Sequence, residues 1–296
     1  MRLLLLILIL PAYFSAQLLD NRGCGVFSEE PFFYTEFIHG NKIKSIKGSV
    51  STKADLQVIK SKGLITKFLF DNSGNLIKQL DSFYRGKKKD SSIISYHYDE
   101  KKNIVTKRMS DSYGFFSYNY KYNDGGDIVQ KTYCRDESSS GNKNNFKLEK
   151  QYTIVNETYS FTRTDSSMQK NVFNNHGSVY QREYYTYDEN KLLVKMVKKL
   201  IVNHKKAETT YKYNDLGKVS EKKIQKDLSK EAYSRFVYEY DELGNLEVID
   251  EYRNAELKTH KEVIYNKSTL LMKALLVQEV NSNFITMTKF SYVFFD

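Results

Sequence analysis

A nine-residue phrase returns along this chain: Y-E-Y-D-E-L-G-N-L at Tyr238–Leu246, Y-K-Y-N-D-L-G-K-V at Tyr211–Val219, and Y-K-Y-N-D-G-G-D-I at Tyr120–Ile128. A phrase rewritten this way builds one supersecondary unit many times, and such a unit buries its apolar side only against its neighbours. Aligned on an aromatic followed by Asp or Asn, its anchors are Phe70, Tyr98, Tyr122, Phe173, Tyr187, Tyr213, Tyr240 and Tyr265. The last four anchors lie 26, 27 and 25 residues apart and the first three 28 and 24. The rhythm breaks at 135–170, where Glu137 to Asn145 reads as a loop and Val155-Asn156 as a worn unit.

Each unit reads as a β-hairpin. Tyr238 and Tyr240 are two apart, so an extended chain puts them on one face. The Asp241 side chain folds over the following amides and starts a turn, as do those of Asp71, Asp99, Asn123 and Asp188. Gly244 supplies the positive φ that closes the loop, with Gly74, Gly126, Gly177 and Gly217 at equivalent places. This geometry sets Asp241 opposite Asn245, Tyr240 opposite Leu246 and Tyr238 opposite Val248. Tyr187 and Tyr265 lack the glycine, which predicts two-residue loops at Glu189-Asn190 and Lys267-Ser268. Phe70, Tyr98, Tyr122, Tyr213 and Tyr240 then form an apolar row, with His97, Lys121, Lys212 and Glu239 on the opposite face. Gly48, outside the repeats, is expected to tolerate valine better than Gly244. The fold class is all-β, an elongated, twisted antiparallel hairpin meander.

Y-x-Y-D-x-x-G-x-L at such intervals resembles the YD-repeat, or Rhs-like, proteins. The resemblance covers roughly Lys67 to Asp296 and implies a long sheet of hairpins that spirals, in large members, into a shell around a toxin or adhesive domain. This chain is too short for such a shell and shows no toxin domain after the last repeat, which implies a short secreted relative. The expected organisation is a signal peptide at 1–16, a segment at 17–66 leading into the sheet, and repeats at 67–296.

The signal peptide rests on Arg2, the apolar run Leu3–Leu10, and small residues ending at Ala16. That run is too short to span a bilayer. Export followed by a secreted, periplasmic or cell-surface location is the expectation. Composition agrees with a sheet: 24 Tyr and 18 Phe, with no Trp and 2 Pro. Cys24 and Cys134 form one disulfide or remain two free thiols.

Catalysis is not expected. No nucleophile elbow, phosphate loop or metal-ligand spacing is present, and His39, His97, His176, His204 and His260 read as solvated. Calcium is weighed at Asp71–Asn75 and Asn123–Asp127, but an apolar residue follows each at once, so turn chemistry explains them better. No cofactor and no metal are expected. The formal charge of +10 includes Arg2, leaving +9 after cleavage, with lysines interspersed among acidic residues. Two function classes follow. One is a secreted binding or structural module for a glycan or another surface protein, with no nucleic acid. The other is an outer-membrane β-barrel, which has to reconcile stretches such as Lys218–Lys223 with a lipid-facing band.

Overall fold

The computed structural model describes residues 17–54, 56–111, 114–140, 142–282 and 284–296, so the expected signal peptide lies outside them. The strands are β1 (Ile43–Ala54), β2 (Lys60–Phe70), β3 (Leu76–Arg85), β4 (Lys88–Tyr98), β5 (Ile104–Asp111) and β6 (Gly114–Tyr122). Next come β7 (Ile128–Ser138), β8 (Leu148–Arg163), β9 (Ser167–Phe173), β10 (Val179–Tyr187), β11 (Leu193–Leu200) and β12 (Lys206–Tyr213). The circuit ends with β13 (Val219–Gln225), β14 (Ser234–Tyr240), β15 (Leu246–Arg253), β16 (Glu256–Tyr265), β17 (Met272–Glu279) and β18 (Phe284–Phe294). Every strand pairs antiparallel with its sequence neighbour, and β18 pairs with β1 from Ile43↔Phe294 to Ala54↔Phe284. The expected hairpin meander is present, but it is a closed 18-stranded ring rather than an elongated sheet. Closure removes the two edges that an open meander would expose.

A ring of this size is too wide for side chains alone to fill. The amino-terminal segment fills part of it. Its two arms pair through Asp20 N→Phe32 O (2.8 Å) and Tyr34 N→Leu18 O (3.1 Å), and a short helix, α1 (Thr35–Gly40), follows. Asn21 Nδ2 donates to the Tyr240 hydroxyl on β14 (3.0 Å), while Glu30 pairs with Lys107 on β5 (2.6 Å). Those strands are nine steps apart in either direction, an arc of about 43 Å or more at the usual interstrand spacing. The nine residue steps from Asn21 to Glu30 reach about 32 Å at most. The segment therefore crosses the lumen. Leu18, Phe32, Phe33 and Ile38 are buried there against Phe68, Phe70, Ile94 and Met272.

This fixes the two faces of the wall. Phe70, Tyr98, Tyr122, Tyr213, Tyr238, Tyr240 and Leu246 point inward, and His97, Lys121, Lys212 and Glu239 alternate outward. Each turn repeats the Asx geometry: Asp241 N→Asn245 O and Gly244 N→Asp241 O close it, and the Asp241 carboxylate accepts from Asn245 N (2.7 Å) and Nδ2 (2.8 Å). Gly244 has φ +79°. Asp71 and Asp99 bond Asn75 and Asn103 in the same way, so these carboxylates serve the turns.

Several readings need correction. Every unit carries a bulge just after the turn, so Glu247 is left over and Tyr238 faces Ile249, not Val248. The Tyr187 turn is no shorter than the others, because Lys191 takes the positive φ that glycine takes elsewhere (+62°). The Tyr265 turn is one residue longer, closing Asn266 N→Leu271 O with Leu270 at φ +57°. The Phe173 turn, with Gly177, joins β9 to β10 and lies at the rim opposite the other seven anchors, which turns Phe173 outward. Val155-Asn156 lies inside β8 and forms no turn. Cys24 and Cys134 are free thiols, Cys24 in the luminal segment and Cys134 on the outward face of β7. The ring already includes β1 and the first half of β2, within the stretch read as a lead-in.

The structure also explains why the motif prefers tyrosine. Tyr98, Tyr122, Tyr213, Tyr240 and Tyr265 donate their hydroxyls to the carbonyls of Leu76, Ile104, Leu193, Val219 and Leu246 at 2.8–2.9 Å. Tyr292 adds a bond to Met272 O at 2.7 Å. Each acceptor is the aliphatic that opens the return strand one hairpin back, so the ladder stitches unit to unit. Tyr240→Ala is expected to cost about 3 kcal/mol or more by cavity formation, and Tyr240→Phe about 1 kcal/mol by orphaning Val219 O. Urea unfolding checks this; unchanged midpoints for both variants would remove the row from the core.

Candidate functional site: the tyrosine-lined lumen

The amino-terminal segment packs on β1–β5 and β12–β18, leaving the inner faces of β6–β11 as the less covered arc of the wall. Alternation puts Tyr118, Tyr133, Tyr159 and Tyr185 there, with Tyr211 at its border beside Cys24, among Lys131, Glu157, Lys170, Glu183 and Lys198. Tyr118 and Tyr133 stack at 4.9 Å, and Lys131 Nζ lies 4.6 Å from the Tyr118 ring centre. Lys170 Nζ sits 3.8 Å over Tyr159.

Two carboxylates organise this wall. Glu183, only 5% exposed, accepts from Tyr185 Oη (2.5 Å) and Gln181 Nε2 (2.8 Å), with Lys170 at 3.5 Å and Lys198 at 3.6 Å. Burial works to raise the Glu183 carboxyl, but Tyr185, Lys170 and Lys198 outweigh it, so it is held below its ordinary value and stays ionised. Glu157 accepts from Tyr159 Oη (2.6 Å) and from Tyr180 Oη. Burial, then these carboxylates, push the Tyr159, Tyr180 and Tyr185 phenols up, keeping them neutral donors. Burial, helped by Cys24, pushes Tyr211 up to about 12.

A luminal cavity of about 450 Å³ adjoins this wall, between Glu29 of the amino-terminal segment and Gln79, Asp81, Met109, Phe116 and Tyr133. Ligand pockets fall in this size range. Gln79 donates Nε2 to Asp81 (2.8 Å), while its buried Oε1 has no protein partner and offers an acceptor to a hydroxyl. Aromatic faces, neutral hydroxyls, fixed carboxylates and ammonium groups together suit a polyhydroxylated ring.

The sequence reading marked the tyrosine row but missed Glu157, Glu183, Lys170 and Gln79. These lie on strands whose partners are assigned only by the closed ring, so no local spacing marks them. The histidines are scattered: His39 Nδ1 meets Asn72 O at 2.6 Å, His260 lies between Asp250 and Glu262, and His176 and His204 occupy turns. Among the described residues no group of His, Cys, Asp and Glu is arranged to hold a metal ion.

The outer wall is of opposite character. Lys47, Lys67, Arg108, Arg182, Glu221 and Asp250 point outward around the circuit. Cross-strand ion pairs join Lys195 to Glu208 (2.6 Å) and Lys212 to Glu221 (2.9 Å) on this face.

No protein family's profile matches this chain, and no curated relative does. Among solved structures, a porin-like protein from Bacteroides uniformis ATCC 8492 is similar at 12% identity, covering 86% of this chain and 97% of that one, with TM-score 0.37. A porin-like protein from Bacteroides vulgatus ATCC 8482 is similar at 11%, covering 85% and 98%, with TM-score 0.32. TcdB2-TccC3-TEV is similar at 11%, covering 80% of this chain and 15% of that one, with TM-score 0.29. At these scores no function follows from the likeness.

Proposed function

We propose that this chain is an exported, non-catalytic barrel of the YD-repeat kind, which faces water on its outer wall and binds a saccharide in its tyrosine-lined lumen. One observation carries the reading: the repeat tyrosines face in, while the outer wall carries charged residues and cross-strand ion pairs around its circuit. A membrane-spanning barrel has the reverse pattern, with an outward apolar band, and each Lys or Arg at the bilayer midplane costs about 2–4 kcal/mol. Residues 17–296 are expected to stay in solution without detergent and to retain neutral glycans on an array. Glu183→Gln, which leaves Lys170 and Lys198 without their carboxylate, is expected to weaken that retention. Glycan binding unchanged by Glu183→Gln, or absent altogether, would reject the luminal site.

A second reading is an outer-membrane barrel, favoured by the complete closure of the 18-stranded ring. Extraction only with detergent, together with insertion into liposomes, would establish it in place of the first.

A further inference from the structure

The outer wall carries a separate pocket that the luminal reading does not use. Between β7 and β8 a 3-10 turn, Lys143–Asn145, folds back over the outward faces of β3–β6. Lys143 Nζ anchors it to Asp90 (2.7 Å) and Ser91 O (3.2 Å), and Lys78 Nζ reaches Asn144 O (3.4 Å). The enclosed space is about 530 Å³.

Arg108 is the centre of this pocket. From below, the fully buried Asp136 carboxylate accepts from Arg108 Nε at 2.7 Å and is itself held by Ser117 (3.0 Å) and Gln151 (2.8 Å). From above, the Phe146 ring lies 4.3 Å from the guanidinium carbon and 4.8 Å from the ring of Phe115. The guanidinium is thus clamped between a carboxylate and an aromatic face. Asp136 engages Nε, and among the described residues no hydrogen bond occupies the two terminal nitrogens. Lys78 brings a second cation, which donates to a backbone carbonyl, that of Asn144. Burial, then Lys67, lowers the Lys78 ammonium, and burial, then Arg108, lowers His97; the Lys67 and Arg108 contributions are repulsion between cations, which a bound carboxylate would relieve. Phe115 and Phe146 offer apolar surface for the C–H face of a ring, beside the hydroxyl of Ser95.

We propose that this outer pocket binds a carboxylate-bearing saccharide, its carboxylate taken by the free fork of Arg108 and by Lys78, its ring packed on Phe115 and Phe146. A preorganised guanidinium fork matches a planar carboxylate bidentately, which a lysine cannot reproduce. The pocket accommodates one or two sugar rings.

Calorimetric titration of residues 17–296 with digalacturonate, its uncharged methyl ester and inorganic phosphate tests this. The acid is expected to bind and the ester to bind at least about 10-fold more weakly, the order expected for a lost charge-assisted pair. Arg108→Lys, which keeps a cation beside Asp136, and Lys78→Met, which leaves the Arg108 clamp intact, are each expected to weaken the acid by a similar factor without shifting Tm. Equal binding of acid and ester, phosphate binding as tight as the acid, no heat with the acid, or titrations unchanged in both variants would overturn the proposal. If Arg108→Lys does not fold, Lys78→Met decides.

Discussion

A chain that begins at Lys42, lacking the luminal hairpin and α1, is expected to lose the cooperative fold of the barrel. Leu18, Leu19, Phe32 and Ile38 are each no more than 3% exposed, and they cover Phe68, Phe70, Leu76 and Met272. Burying such side chains contributes about 1.5–3 kcal/mol each, so the segment as a whole supplies a share comparable to a domain's entire net stability. Its removal also strands Lys107, whose 5% exposed side chain relies on Glu29 and Glu30 for its counter-charge. Thermal unfolding and dye binding to exposed apolar surface check this. The shortened chain should aggregate or melt at least 10 °C lower, roughly the shift that a few kcal/mol produces. An unchanged Tm would mean that the ring stands without its filling.

What the sequence made legible was local. An aromatic, an Asp or Asn and a glycine within seven residues determine a turn through short-range hydrogen bonds and one positive φ, so Phe70, Tyr122, Tyr213 and Tyr240 were placed on the correct face. What it hid was long-range. The seam joins Ile43–Ala54 to Phe284–Phe294 with no motif on either strand, because any two alternating strands offer the same backbone groups. The luminal hairpin looked like a lead-in, since Phe32 and Phe33 carry no periodicity that declares their partners. The bulge after every turn was invisible because its extra residue varies freely: Ile77, Val105, Val129, Ser220, Glu247 and Lys273. Phe173 shares the phrase of its relatives but not their rim, because it ends an odd-numbered strand, β9, whereas the other seven anchors end even-numbered ones. The Arg108 pocket draws on β3, β4, β5, β6 and a loop near residue 143, a convergence that only the folded ring creates.

The fit at the seam reverses the order expected for two glycines. A Cβ at Gly48 would lie 2.5 Å from Thr288 Cγ2, 2.6 Å from Thr66 Cγ2 and 3.0 Å from Phe290 Cε1. Thr66 is on β2 and Thr288 on β18, the two strands that flank β1, so any side chain at Gly48 presses on both sides of the closure at once. At Gly244 the crowding atoms are the flexible ends of Lys218 and Gln17, and the main penalty is the positive φ of +79°. Backbone strain of that kind costs about 1–3 kcal/mol, and a displaced lysine adds little. Overpacking a closed site costs about 1–3 kcal/mol and sometimes more, and valine brings two further methyl groups toward threonines that have nowhere to retreat. Gly48→Val is therefore expected to lose about 3 kcal/mol or more, and Gly244→Val about 1–2 kcal/mol. The position of Gly48 outside the repeats, which suggested tolerance, is irrelevant to this packing. Combining Gly48→Ala with Thr288→Ser, which deletes the nearest methyl, should recover part of the Gly48→Ala loss, a coupling that denaturant midpoints can read. A Gly48→Val protein more stable than Gly244→Val would show that the seam opens to admit the side chain and that the ring is looser there than its contacts indicate.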